Sequence, residues 1–293
     1  MRGKRFSIEL MAALAIFTAI LLVTGIGAAA QEKVLYTFQG GTGDGAFPQA
    51  GLIFDTAGNL YGTTSLGGAY GFGTVFELTP TAGGTWTEKV LYSFKNDGTD
   101  GSNPKAGVIF DAAGNLYGTT SLGGAGVCQG AGCGTVFELT PAAGGTWTEK
   151  VLHSFGGATD GVIPEAGLIF DAAGNLYGTT GYGGPYNWGT VFELTPAAGG
   201  TWTENVLYSF QGGADGAGPA AGLVFDAAGN LYGTTEVGGA GVCQGNGCGT
   251  VFELTPAAGG TWTENVLYRF QSGADGANPY DALIFDAAGN LYG

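Results

Sequence analysis

Few side chains in this sequence could do chemistry, and most of them recur at fixed spacing. Four cysteines form two pairs, Cys128-x4-Cys133 and Cys243-x4-Cys248, inside near-identical glycine-rich stretches. In an oxidising compartment such pairs read as disulfides that close a small loop tip. Free thiols and a four-cysteine zinc site are the other readings, although the spacing matches no common zinc knuckle. His153 is the one histidine, so a histidine-based triad or a histidine-ligated metal centre has too few parts. It stands where other repeats carry Tyr36, Tyr92, Tyr208 and Tyr268, and is expected to fill a tyrosine niche.

Carboxylates are more numerous but symmetric. Asp55, Asp111, Asp171, Asp226 and Asp286 each open the same turn, and Glu77, Glu138, Glu193 and Glu253 share one strand position. A residue needed in every repeat serves the repeat itself. The Asp-Gly loops at Asp44, Asp100, Asp160, Asp215 and Asp275 fit turns in which Asp bonds backbone amides and Gly is left-handed. The chemical alternative is a calcium site, because hard cations want clustered oxygens. Asp97 and Asp100, in Asn96-Asp97-Gly98-Thr99-Asp100, are its candidate ligands; no other cofactor is expected. One further loop carries exposed-type aromatics: Tyr70 and Phe72 in one repeat, and Tyr182, Tyr186, Asn187 and Trp188 in another. Tyr and Trp beside amides and carboxylates suit stacking on sugar rings or anchoring a protein partner. Packing beneath their own loop is the equal alternative.

The elements that would position these residues repeat. Val-Leu-(Tyr/His)-x-Phe begins at Val34, Val90, Val151, Val206 and Val266, and Phe-Asp-x-Ala-Gly-Asn-Leu-Tyr-Gly begins at Phe54, Phe110, Phe170, Phe225 and Phe285. A fixed period of this size marks an array of one supersecondary unit. In the unit that starts near Ala106, four short strands are expected over 107–111, 115–120, 134–140 and 146–155. Asp111–Gly114 and Pro141–Gly145 make tight turns. Alternation of Trp147, Glu149, Val151, His153 and Phe155 supports the last strand. Beyond the leader no window avoids Gly and Pro long enough for a stable helix.

The fold class expected is therefore all-β, a β-propeller of four-stranded blades, with a β-helix or solenoid as rival. Four complete blades and a partial fifth are counted, with units near 34–89, 90–150, 151–205, 206–265 and 266–293. The N-terminal strand Val34–Phe38 could complete the fifth blade as a clasp. The stop inside Asn-Leu-Tyr-Gly also reads as a C-terminally truncated frame, and alternation of aromatic and cysteine loops would suit an even blade number. In such a blade the variable loops gather on one rim and the repetitive turns on the other. Loops on a rigid scaffold are where recognition concentrates.

Residues 1–30 lie outside this pattern. Arg2, Lys4 and Arg5 precede an apolar run and then Ala28-Ala29-Ala30, which reads as a cleaved secretory signal peptide; an uncleaved anchor is the alternative. Residues 31–293 then form the repeat domain, secreted or displayed at the cell surface. The formal net charge is −15, which makes nucleic acid and anionic membrane poor partners. A monomer is expected, with an extracellular glycan or protein as partner and no membrane contact beyond the leader.

Ala166–Thr180 (AGLIFDAAGNLYGTT) and Gly189–Pro196 (GTVFELTP) closely resemble the GloVer tandem repeat of bacterial exported proteins. The resemblance covers residues 32–293 and recurs in every unit. It implies an extracellular repeat protein whose relatives carry one of several C-terminal anchors, and it implies no activity. More distantly, Asp-Ala-Ala-Gly-Asn-Leu-Tyr is similar to the strand–turn–strand of NHL and gluconolactonase-type propellers, which bears on fold alone. Three functions follow from the sequence. The first is a non-catalytic binding module using the variable rim. The others are a lyase- or lactonase-type enzyme with a metal held by channel carboxylates, and a structural spacer.

Overall fold

The computed structural model describes residues 32–293 apart from 129, 158, 240, 242 and 244. The expected leader lies outside the described residues. The chain divides into Met1–Leu35 and Tyr36–Gly293, and the second unit carries the repeats.

Four antiparallel sheets of four strands follow one another, each with its strands side by side in chain order. In the second repeat these are Ile109–Phe110, Leu116–Thr120, Thr135–Ala142 and Thr146–Ser154. The fifth repeat supplies only Ile284–Phe285 paired with Leu291–Tyr292. Among the described residues the helices are 3-10 turns of three residues, and no helix is long and apolar enough to cross a membrane.

The repeated carboxylates hold the first turn of each sheet. Asp111 accepts the backbone N–H groups of Ala113 and Asn115 and the Asn115 side-chain amide, each at 2.8 Å. The Tyr117 hydroxyl lies within hydrogen-bond reach of both Asp111 and Glu138, and burial raises the tyrosine pKa far above its ordinary value, with the Glu138 hydrogen bond next. Gly118 is required because the Phe137 ring lies over it: a Cβ there would come within 2.6 Å of that ring.

Two expectations about the strands need correction. Pro141 does not end its strand but pairs with Trp147. The second strand has by then ended opposite Leu139, so the proline sits where its strand has one neighbour, which spares a ladder bond. Strict alternation in the last strand also fails. A bulge shifts register at Val136/Phe137, and the same shift recurs at Val75/Phe76, Val191/Phe192 and Val251/Phe252. The extra residue of a bulge re-aims its neighbours, and Leu152 is buried beside half-buried Val151.

The core lies between sheets. One cluster joins Tyr61, Leu91 and Phe94 of the first repeat to Val108, Leu116 and Phe137 of the second; two others join the second to the third and the third to the fourth. At these three seams the Phe that follows the last strand meets the next sheet's third-strand Phe edge-to-face: Phe94–Phe137, Phe155–Phe192 and Phe210–Phe252. Each of these clusters draws on two repeats, and burial shared between neighbours is the physical reason for the array. Buried threonines add polar stitches: Thr63 donates to the Ala106 carbonyl, Thr119 to Ala166 and Thr179 to Ala221.

Corresponding residues of all five repeats, Gln49, Lys105, Glu165, Ala220 and Tyr280, line one cavity of about 530 Å³. The repeats are thus set about a shared space. The expected N-terminal clasp makes no ladder: among the described residues Leu291–Tyr292 pairs with Ile284–Phe285, and residues 36–39 lie outside any strand. The reason is spacing. An outer strand sits two ladder steps, about 10 Å, from the second strand, and no third strand fills that gap. Phe38 nevertheless meets Phe76 at 4.9 Å, the contact that Phe94, Phe155 and Phe210 make at the other three seams.

Candidate functional site

The loop that enters each sheet and the loop between its second and third strands lie together, as the rim argument requires. Gly45–Ala46 pairs with Leu66–Gly67, and Gly101–Ser102 with Leu122–Gly123. Single bridges join Val162 to Tyr182 and Ala217 to Val237. The variable residues therefore share one face.

On that face Tyr182, Trp188 and Tyr280 line a cavity of about 440 Å³ together with Glu236, Asn246 and Asn278. Trp188 is 41% exposed, and its indole lies on the backbone of Gly212, where a Cβ would come within 2.7 Å of Nε1. It is held from below and open above. The Tyr280 hydroxyl donates to Glu236. That hydrogen bond, with burial second, pushes the phenol up to about 12, so it remains a donor at neutral pH. Asn278 donates its side-chain amide to the Glu236 carbonyl. The arrangement offers flat apolar rings, a carboxylate and amides around one volume.

Tyr182 is also a wall of a second cavity, about 620 Å³, shared with Val127, Cys128, Ile163 and Asn187. Cys128–Cys133 and Cys243–Cys248 are both disulfide-bonded, so each cavity has one tied loop beside it. Ile163 has φ +60°, a left-handed conformation that strains a β-branched residue. Phe47, at φ +59°, Asn103, Gly218 and Asn278 occupy the corresponding position.

The other predicted residues are scattered. Tyr70, Phe72 and Tyr186 are exposed but line neither cavity. Asp97 accepts hydrogen bonds from the Thr99 and Asp100 backbones and the Thr99 hydroxyl. These bonds, the Asp100 amide first, hold its carboxyl down at about 2. Asp100 is buried and accepts from Tyr92 and the Lys95 backbone. Both carboxylates brace their loop, and no cluster of three metal-ligating side chains occurs among the described residues. His153 pairs with Asp160 at 3.3 Å and packs edge-on to Phe155, in the place where Tyr208 bonds Asp215.

Asn246 and Asn278 went unnoticed in the sequence, yet a signal existed. The cysteine loops 126–133 and 241–248 differ at one position, Ala131 against Asn246.

The repeat family described as the Gloeobacter/Verrucomicrobia repeat matches residues 23–200 and again 127–293. The chain belongs to the Gloeobacter/Verrucomicrobia repeat family. The two matches overlap, as expected of a repeat that can be read in more than one frame. No curated protein matches this family member. Among solved structures it is similar to an endo-arabinase from Bacteroides thetaiotaomicron VPI-5482, at 14% identity and a TM-score of 0.44, covering 87% of this chain and 91% of that one.

Proposed function

We propose that this chain is an exported, non-catalytic binding module whose repeats close into a β-propeller and whose variable face takes a glycan. The observation that carries this reading is the cavity where Tyr182, Trp188 and Tyr280 meet Glu236, Asn246 and Asn278. Aromatic faces stack on the apolar faces of sugar rings, while amides and a carboxylate take up their hydroxyls. Export is supported by two disulfides, which persist in oxidising compartments. Closure is supported by the five repeats that line one cavity and by Phe38 in the place of an outer-strand Phe. The module acts as a monomer, residues 1–30 being its leader.

Catalysis has less support. The repeated carboxylates are tied to turn backbones and tyrosines, and the one imidazole is engaged by Asp160. The test is a glycan array probed with residues 31–293, alongside Tyr182→Ala and Trp188→Ala. Binding that both substitutions weaken at least tenfold supports the proposal. No binding, or binding indifferent to both, rejects it.

A further inference from the structure

The five repeats are most alike where the backbone needs them to be, and most different at one position that faces the axis. Each sheet is entered through Pro-x-Ala-Gly, or Pro-x-Asp-Ala in the fifth repeat. The flanking residues have fixed duties. The proline ring packs on the preceding repeat, where a Cβ on Gly134 would meet Pro164 Cδ at 2.5 Å. The alanine carbonyl receives the neighbouring threonine. Only the residue between them changes at every occurrence: Gln49, Lys105, Glu165, Ala220 and Tyr280. All five line the axial cavity of about 530 Å³. The ring therefore presents an amide, a cation, a carboxylate, a methyl and a phenol to one volume. That is the kind of asymmetric constellation recognition needs.

This ring is joined to the lateral cavity. Tyr280 belongs to the walls of both, and its hydroxyl is held by Glu236 on the lateral side. Beside it Ala220 contributes only a methyl group. Elsewhere on the ring Lys105 pairs with its neighbour Glu165 of the next repeat, so the lysine charge is already neutralised. With Glu165 and Glu236 nearby and an acidic chain overall, a polyanionic ligand is disfavoured.

Resting on the glycan-binding reading, we propose that the axial ring is a second subsite for the same ligand, a linear oligosaccharide of neutral sugars that runs from the Trp188 cavity past Tyr280 to the axis. Short oligomers occupy the lateral cavity alone, and longer ones reach Gln49 and Lys105. The ring thus selects for chain length.

The test uses calorimetric titration of residues 31–293 with neutral β-linked glucan and xylan oligomers, from monomer to hexamer. Wild type is expected to gain about tenfold or more in affinity between dimer and hexamer, equivalent to about 1.4 kcal/mol. Gln49→Ala and Lys105→Ala are expected to cut that gain to about threefold or less while leaving dimer affinity unchanged. Trp188→Ala should weaken every length. Thermal melts verify that the ring variants, whose side chains are at least partly exposed, remain folded. A gain with length that ignores both ring substitutions overturns the axial subsite and leaves lateral binding standing. Absence of binding at every length overturns both.

Discussion

Each seam between repeats holds a carboxyl group that burial works against, and this sets a pH dependence opposite to that of most folded proteins. Glu88, Glu149, Glu204 and Glu264 occupy one position in the outer strand, and each has a buried oxygen without a hydrogen-bond partner. Desolvation, the larger cause in each, raises them from the ordinary 4.5 to about 7. Asp100 adds to it at Glu149, where Asp97 and Lys95 also face the group with opposite effects. A folded-state pKa above the unfolded value means that the folded chain binds more protons between about pH 4.5 and 7. Stability therefore falls as pH rises through that window, and the loss is complete above pH 7. A shift of about 2.5 units would cost roughly 3.4 kcal/mol in a fully buried group. These side chains are only half-buried, so solvent screening reduces the figure to about 1 kcal/mol each. Glu149→Gln removes one such charge. It should raise stability by about 1 kcal/mol at pH 8, or roughly 2–4 °C in Tm, and by almost nothing at pH 5. Calorimetric melts at both pH values measure this. A wild-type Tm that climbs from pH 5 to pH 8, or a Glu149→Gln effect equal at both, would mean that these carboxyl groups ionise without cost to the fold.

Other outcomes follow from the same geometry. Phe155→Ala empties a fully buried site shared by two repeats and should cost about 3–5 kcal/mol in denaturant unfolding. Gly118→Ala forces a methyl into the Phe137 ring and should destabilise by about 1–3 kcal/mol. Replacing Cys128 and Cys133 together by serine should cost about 2 kcal/mol or less, because the loop that bond closes is short. Since Asp97 and Asp100 serve their own loop, EDTA should leave Tm unchanged within about 1 °C; a larger fall would restore calcium to the loop.

The fold was largely legible because the repeat exposes its own grammar. The turn at Asp111–Gly114 and the second strand through Thr120 follow from residue types whose local duties are fixed. The bulge beside Leu152 was not legible, since an inserted residue leaves the apolar pattern intact while shifting which face it serves. That Val34–Phe38 makes no ladder depends on a strand between two others, a long-range requirement that this segment cannot express. Loop chemistry was readable only in part. Tyr182 and Trp188 stand out as aromatics, but that they converge with Tyr280, about a hundred positions from the first of them, depends on how repeats turn about a common space. Tyr186 looked equivalent to Trp188 by composition, and it faces elsewhere.

The arrangement about an axis underlies the whole account, and distance across that axis tests it most directly. Gln49→Cys and Ala220→Cys place thiols on the first and fourth repeats, both lining the cavity of about 530 Å³, a volume equal to that of a sphere roughly 10 Å wide. Treated with a bis-maleimide of about that span under non-reducing conditions, the doubly substituted monomer should cross-link within itself in high yield, while each single variant should not. In a linear stack the two repeats would stand about 30 Å apart, three sheet spacings. Failure to form the intramolecular link would contradict the axial arrangement and the shared rim with it.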